Sequence, residues 1–151
     1  MAVLSCRSVI AALLLAGVSA LARGDDLVGL WQEYDDQTGK VEALIRIEQA
    51  ADNSYAGRIE KLLPETAENA AKICSRCAGE LHNKPFLGLR ILYGMKRKDQ
   101  LNFEGGEVVD PDEGKVYRCH MRLSEDGKTL EVTGYIGFSW FGQTEVWHRK
   151  D

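Results

Sequence analysis

The sequence lacks an excess of positive charge. Its 151 residues contain 19 Lys and Arg against 23 Asp and Glu, for a formal net charge of −4. Nucleic-acid-binding proteins normally present a basic face, so we expect no nucleic-acid partner. With 44% hydrophobic, 28% charged and 8% aromatic residues, the composition also excludes collagen-like, coiled-coil and disordered chains. The length is that of one domain.

Long hydrophobic runs are also lacking, apart from a short one between Val9 and Val18. A span needs roughly 20 apolar residues, so this run is too short to cross a membrane. Arg7 precedes the run and Ala20-Leu21-Ala22 follows it, which is typical of a secretory signal peptide. We therefore predict a signal peptide over residues 1–22, a single domain over 23–151, and a periplasmic or secreted protein without a transmembrane segment after cleavage.

The remaining chain has the period-two hydrophobic pattern of strands separated by polar turns. Short, evenly spaced strands of this kind favour an all-β, eight-stranded antiparallel up-and-down barrel. The predicted strands are 29–34, 41–48, 55–62, 89–96, 101–109, 115–123, 129–136 and 143–149. One long connection, 64–85, interrupts them and contains a predicted short helix over 65–73.

Three cysteines remain after signal cleavage, because Cys6 lies in the signal. Cys74 and Cys77 form a Cys-x-x-Cys motif in the long connection, and Cys119 lies far downstream. A structural disulfide among these three is the interpretation that an exported compartment favours. Any pairing is compatible with the sequence. Two alternatives remain: a redox pair, or a zinc site completed by His82 and either Cys119 or His120.

Catalytic and cofactor motifs are lacking. Ala78 follows the second cysteine where haem attachment requires His, and no G-x-S-x-G elbow occurs. The acidic turn 110–114 lacks the ligand pattern of a calcium loop. We therefore expect no cofactor and no resident metal, and the sequence does not indicate an enzyme.

Barrels bind small molecules at their mouths, so aromatic and inward-facing residues are the candidate ligand contacts. Strand alternation predicts a barrel interior that includes Leu89, Ile91, Tyr93, Leu101, Phe103, Tyr117, Met121, Leu130, Val132 and Ile136. Tyrosines offer an apolar body with a polar tip. The predicted ligand-binding residues are Tyr93, Phe103, Tyr117, Met121, Tyr135 and Trp140, the last from the Phe138-Ser139-Trp140-Phe141 segment.

Two features of the sequence resemble known families. Gly29-x-Trp31 is similar to the opening motif of lipocalins and other calycins, in which a late basic residue often covers the first Trp; here this implies that Arg149 closes the barrel over Trp31. A longer ordered series resembles the bacterial exported family called domain of unknown function 2147: Cys74-x-x-Cys77-x-Gly79, 84–88, 105–111, 114–117, 134–137 and Gly142-x-Thr144-x-x-Trp147-x-Arg149. This resemblance implies a lipocalin-like barrel that binds a small molecule. The family often has Arg where this chain has Thr133 and Gln143.

The sequence thus predicts an exported lipocalin-like protein that binds a small apolar or amphipathic molecule. One alternative is a structural or interaction protein of the cell envelope, with a filled barrel and outer aromatics as its contact surface. A redox or zinc protein that uses Cys74 and Cys77 is the second alternative. The sequence identifies no protein partner.

Overall fold

The computed structural model describes residues 27–138 and 142–150. Eight antiparallel strands form a closed barrel in sequence order, so the predicted fold class is confirmed. The strands are β1 (Gly29–Tyr34), β2 (Val41–Gln49), β3 (Tyr55–Leu62), β4 (Arg90–Arg97), β5 (Asn102–Asp110), β6 (Lys115–Leu123), β7 (Thr129–Tyr135) and β8 (Gln143–Arg149). Within the described ranges, no helix has the length and apolar character that a membrane span needs. The predicted signal peptide and Trp140 lie outside the described residues.

The barrel closes where β8 returns to β1. Trp31 pairs with Arg149 and Gln32 with His148 across this seam. Trp31 also pairs with Ile45 on β2. Alternate residues of each strand therefore face the interior, as the sequence pattern predicts, and closure leaves no unpaired sheet edge.

A β-bulge in β4 changes which side chains face inward. Arg58 pairs with Arg90 and Gly57 pairs with Leu92, so Ile91 is an extra residue on β4. Both Ile91 and Leu92 are buried, and the alternation restarts one residue later. Tyr93 was predicted to lie in the barrel interior, and that prediction is wrong because the bulge turns its side chain to the outer face.

One end of the barrel is closed by packed apolar side chains. Trp31 is fully buried there, and its indole N–H donates to the carbonyl oxygen of Leu27 at 3.1 Å. Phe103 packs edge-on against Tyr55, with ring centroids 5.3 Å apart. The other buried side chains of this half include Ile45, Ile47, Met95, Met121, Leu123 and Leu130. This half holds the main hydrophobic core.

The connection between β3 and β4 carries little helix. The predicted helix over 65–73 is reduced to one turn, α1 (Ala67–Ala70), which begins after Thr66. The hydroxyl of Thr66 accepts a hydrogen bond from the Asn69 N–H at 3.2 Å. A 3₁₀ turn, Gly79–Leu81, follows. Four residues are too few for a helix that is stable without packing, so contacts with the barrel hold this segment in place.

A disulfide joins Cys74 and Cys77 in this connection, and Cys119 is a buried free thiol. The bond therefore staples the connection to itself rather than to the barrel. The attachment to the barrel comes from the β5–β6 turn, where the Cys74 Sγ lies 3.2 Å from the carbonyl oxygen of Pro111. Gly114 in that turn has a positive φ of 69°. A Cβ on Gly114 would overlap the carbonyl group of Arg76, so only glycine permits this close approach.

Candidate ligand-binding cavity

The open half of the barrel contains a cavity of about 490 Å³. It lies at the end where β1, β3, β5 and β7 finish, opposite the core around Trp31. Leu63 and Phe86 of the long connection form part of its wall, as does Pro111 of the β5–β6 turn. The disulfide-stapled connection therefore shapes the entrance of the cavity.

Much of the cavity wall is apolar. The side chains on strands point inward, Phe86 enters from the long connection, and all but the half-buried Val108 are buried. The main apolar contributors are Ile59, Phe86, Ile91, Val108, Val132 and Trp147. Trp147 is 1% exposed, and its indole N–H donates to the Glu145 carboxylate at 3.1 Å. Such a wall can take up the apolar body of a small molecule.

Two carboxyl side chains from neighbouring strands enter the same space. Glu33 lies two residues after Trp31 on β1, and Glu145 lies two residues before Trp147 on β8, so each shares the inward face of a tryptophan. Burial raises the pKa of Glu33 well above its ordinary value of 4.5. The negative charges of Glu145 and then Glu42 raise this pKa further, as does a hydrogen bond with Glu145. The ionised form of Glu33 is therefore disfavoured, and Glu33 keeps its proton to a higher pH than an ordinary glutamate.

Glu42, the residue beside the β1–β2 bulge, adds a third carboxyl group to the cavity. Desolvation raises its pKa, and the charges of Asp35 and Asp112 act in the same direction. Lys72 from the long connection has the opposite, weaker effect. Glu42 is exposed, so the acidic character of the cavity lining extends to the mouth.

The rim on the β5–β6 side holds its own charges in local contacts. The Lys115 ammonium lies 3.0 Å from the Glu113 carboxylate, and the Tyr117 hydroxyl donates to the same carboxylate at 2.9 Å. These contacts with Lys115 and then Tyr117 lower the pKa of Glu113. The pKa of Tyr117 is raised, first by desolvation and then by its bond to Glu113. Tyr117 is accordingly a neutral hydroxyl at the cavity wall.

The structure separates the five predicted ligand-binding residues that it describes. Tyr117 lines the cavity. Phe103 and Met121 are buried in the closed half. Tyr93 lies in an outer groove of about 360 Å³, beneath the Arg90 guanidinium. Tyr135 lies 5.6 Å from His120, ring to ring, on strand positions that alternate with the inward ones. Their part in binding, including that of Trp140, stays a prediction.

Sequence reasoning missed Glu33 and Glu145. A signal for both was present in the spacing Trp31-x-Glu33 and Glu145-x-Trp147, which places each carboxyl on the same strand face as a core tryptophan. Ile136 was predicted to be interior, and it reaches the cavity mouth with 68% of its surface exposed. Gln143, where the family often has Arg, also lines the cavity. Thr133 instead bonds Thr144, oxygen to oxygen, at 2.7 Å.

The cysteine region does not have the features of a reactive centre. Cys74 is 0% and Cys77 is 5% exposed, so the disulfide is inaccessible to a second thiol. Burial raises the pKa of the Cys119 thiol to about 12, which leaves almost no thiolate. His82 Nδ1 lies 3.0 Å from the carbonyl oxygen of Cys77. Across residues 27–138 and 142–150, no group of three or more His, Cys, Asp or Glu side chains has a metal-binding arrangement.

Comparison with known proteins agrees with this architecture. A search of curated proteins found no match. Among solved structures, the barrel is similar to protein HP1028 from Helicobacter pylori, described as belonging to the lipocalin family, with a TM-score of 0.72 and 19% sequence identity over 83% of this chain and 84% of that chain. A likeness at this identity establishes the shared fold. The sequence model of the bacterial family DUF2147, described as an uncharacterized protein conserved in bacteria, matches residues 29–149, and the chain belongs to that family.

Proposed function

We propose that this protein binds a small amphipathic molecule in the open half of its barrel. The observation that carries the proposal is the cavity of about 490 Å³, which combines apolar walls with a few inward polar groups. Binding sites for small molecules are typically clefts of about 300–1,000 Å³ with this division of chemistry. The lipocalin-like fold is consistent with the proposal and does not establish it.

The alternative function, an interaction protein of the cell envelope, requires a barrel that is filled by its own side chains. Side chains fill the closed half around Trp31 and Phe103, whereas the open half leaves room for a ligand. The exposed apolar residue Ile136 lies at the mouth of the cavity. It is placed to contact an apolar molecule as it enters, which favours ligand uptake as the function of this end.

We also propose that binding takes place outside the cytoplasm, in the periplasm or after secretion. Two observations support this compartment. Residues 1–22 have the sequence pattern of a signal peptide. The Cys74–Cys77 disulfide is of the kind that persists in oxidising compartments. Mass spectrometry of the protein recovered from periplasm and medium tests this directly, and recovery of an uncleaved chain from the cytoplasm alone would contradict it.

Native mass spectrometry tests the binding proposal. The protein is exported through its own signal and purified gently, and its mass is compared before and after denaturation. A non-metal mass excess that is lost on denaturation identifies a bound molecule. Purified protein is then titrated with n-octanol by calorimetry, and we expect saturable binding.

A cavity-filling variant provides the structural control. Val132→Phe places a larger side chain in the cavity, whereas Val116→Phe makes the same change on the outer face of β6, where Val116 is 51% exposed. We expect Val132→Phe to abolish the binding of n-octanol and Val116→Phe to retain it. Circular dichroism checks that both variants fold. Equal binding by the two folded variants would refute the cavity as the site.

A further inference from the structure

We infer that the ligand of this cavity is a cationic amphiphile, an organic amine with an apolar body, whose charged end lies between Glu33 and Glu145. The inference rests on the proposed function and specifies the ligand class of the same site. Three features carry it: the position of the two carboxyl groups, the lack of a cation paired with them among residues 27–138 and 142–150, and the apolar wall that lines the same cavity.

The two carboxyl groups come from neighbouring strands at the open end of the barrel, where Glu33 is half-buried and Glu145 is exposed. Trp31 pairs with Arg149 across the β1–β8 seam, so Glu33 and Glu145 occupy inward positions on adjacent strands, displaced diagonally along the seam. Diagonal neighbours of this kind are within reach of long side chains. The Trp147 indole N–H donates to Glu145, which fixes one carboxylate oxygen and directs the group toward the cavity.

No basic group of the described chain forms an ion pair with either carboxyl. The ion pairs there involve other acids, among them Glu60, Glu48, Glu65, Glu104 and Glu113. The charged groups that act most strongly on Glu33 are acidic: Glu145, Glu42 and Asp110. A half-buried carboxylate that lies close to other carboxylates is costly to ionise unless a positive charge joins it.

The cavity lining as a whole also carries more negative than positive charge. Six acidic residues line it against two lysines, Lys72 and Lys115. Lys115 is held by Glu113 at the rim. Gln143 at the mouth is neutral, so it does not offset the carboxyl groups. An anionic ligand, such as a carboxylic acid, would enter against this field.

The apolar wall determines the rest of the ligand. Ile59, Ile91 and Val132 line the same cavity as the carboxyl pair. A bare metal ion would leave this wall without a contact, and an uncharged apolar molecule would leave the carboxyl pair without one. An amine with an apolar body satisfies both, since its N–H groups donate charge-assisted hydrogen bonds to carboxylates while its body removes the wall from water.

The test compares three probes of equal chain length in calorimetric titrations at neutral pH and low salt: n-octylammonium, n-octanol and n-octanoate. A charge-assisted pair in a partly dry site predicts that n-octylammonium binds about tenfold more tightly than n-octanol, or better, with n-octanoate the weakest. If none of the three binds, the proposed function itself fails. If n-octanol or n-octanoate binds as tightly as n-octylammonium, the cavity is a binding site and the cationic assignment is wrong.

Variants then locate the charge. In Glu33→Gln/Glu145→Gln we expect the advantage of n-octylammonium over n-octanol to disappear while n-octanol still binds. The matched control is Glu107→Gln/Glu131→Gln, which removes the same charge from exposed outer positions of β5 and β7. An unchanged preference in the folded inner variant would overturn the inference.

The pH dependence provides a readout that needs no variant. An octylammonium ion that binds between the carboxyl groups favours the ionised form of Glu33 and so displaces the proton of Glu33. Its affinity should therefore rise with pH from the ordinary Glu value of 4.5 upward, while the affinity for n-octanol stays level or falls. Titration in buffers of different ionisation enthalpy should detect the released proton. Pure surface attraction would give binding without proton release, and that result would also overturn the inference.

Discussion

The guanidinium group of Arg149 covers the indole ring of Trp31, with its central carbon 4.3 Å from the ring centroid. The same group donates to the carbonyl oxygens of Gly127 at 2.7 Å and Val28 at 3.0 Å. A Cβ on Gly29 would meet the guanidinium, so the glycine of Gly29-x-Trp31 leaves the space that the arginine occupies. One side chain thus ties the first strand, the last strand and the β6–β7 turn together at the closed end.

Replacing Arg149 should therefore destabilise the barrel. Arg149→Lys keeps the charge but loses the planar stack and the paired donors, and we expect a cost of about 1–2 kcal/mol. Urea unfolding followed by tryptophan fluorescence measures this cost. The matched change Arg122→Lys, at an exposed position of β6, should cost less than about 0.5 kcal/mol. Equal costs for the two changes would mean that the stacking contributes nothing.

Glu33 should make stability depend on pH. Its pKa in the folded protein is raised above the ordinary 4.5, so the folded state keeps a proton that the unfolded chain releases. The stabilisation from this proton is complete below about pH 4.5 and is lost as pH rises through the folded pKa. Glu33→Gln should therefore match the wild type in acid and exceed it in free energy of unfolding at neutral pH.

Thermal denaturation from acid to neutral pH tests whether Glu33 causes this slope of stability against pH. Glu131→Gln, at an exposed position of β7, is the control and should keep the wild-type slope. Parallel profiles for Glu33→Gln and the wild type would show that Glu33 does not carry the dependence.

Cys119 should be unreactive in the folded protein. It is 0% exposed, and burial raises the pKa of its thiol to about 12. Since the thiolate is the nucleophile, iodoacetamide should label Cys119 only after denaturation. Labelling of Cys74 and Cys77 should require denaturation and a reductant together. Peptide mapping by mass spectrometry distinguishes these cases, and rapid labelling of native Cys119 would contradict the burial.

Gly114→Ala should detach the disulfide segment from the β5–β6 turn. Gly114 and Gly39 have nearly equal positive φ values, 69° and 65°, but an added Cβ on Gly39 has no neighbour within 4 Å. Both changes incur about 1–2 kcal/mol of backbone strain, and only Gly114→Ala also collides with Arg76. We expect it to cost at least about 1 kcal/mol more than Gly39→Ala.

Hydrogen exchange provides the local readout for this pair of variants. The Cys74 N–H donates to the carbonyl oxygen of Lys84 at 2.8 Å, and the Phe86 N–H donates to that of Lys72 at 2.9 Å. In Gly114→Ala both amides should exchange faster, and in Gly39→Ala they should exchange as in the wild type. Unchanged exchange in Gly114→Ala would show that the turn does not hold the segment.

The family and much of the fold followed from local patterns. Alternation of apolar and polar residues placed Phe103, Met121, Leu130 and Val132 on buried strand faces, and polar turns set strand boundaries to within about two residues. Tyr93 shows where this reasoning fails. A bulge at Ile91 inverts the alternation through Tyr93, and a second register shift before Met95 restores it. Both irregularities arise from pairing with β3, which a single strand's pattern does not reveal.

The candidate site could be predicted only in part from the sequence. The sequence by itself determined the barrel, its antiparallel order and the inward face of each regular strand, because side-chain alternation is a local property of the backbone. It left open which cysteines pair, since Cys74 and Cys77 are brought together by the path of the long connection. Tertiary structure alone decided that the acids of β1 and β8, 112 positions apart in numbering (145 less 33), share one cavity. Because the barrel closes, the first and last strands are neighbours, and their acidic side chains together give the cavity its charge.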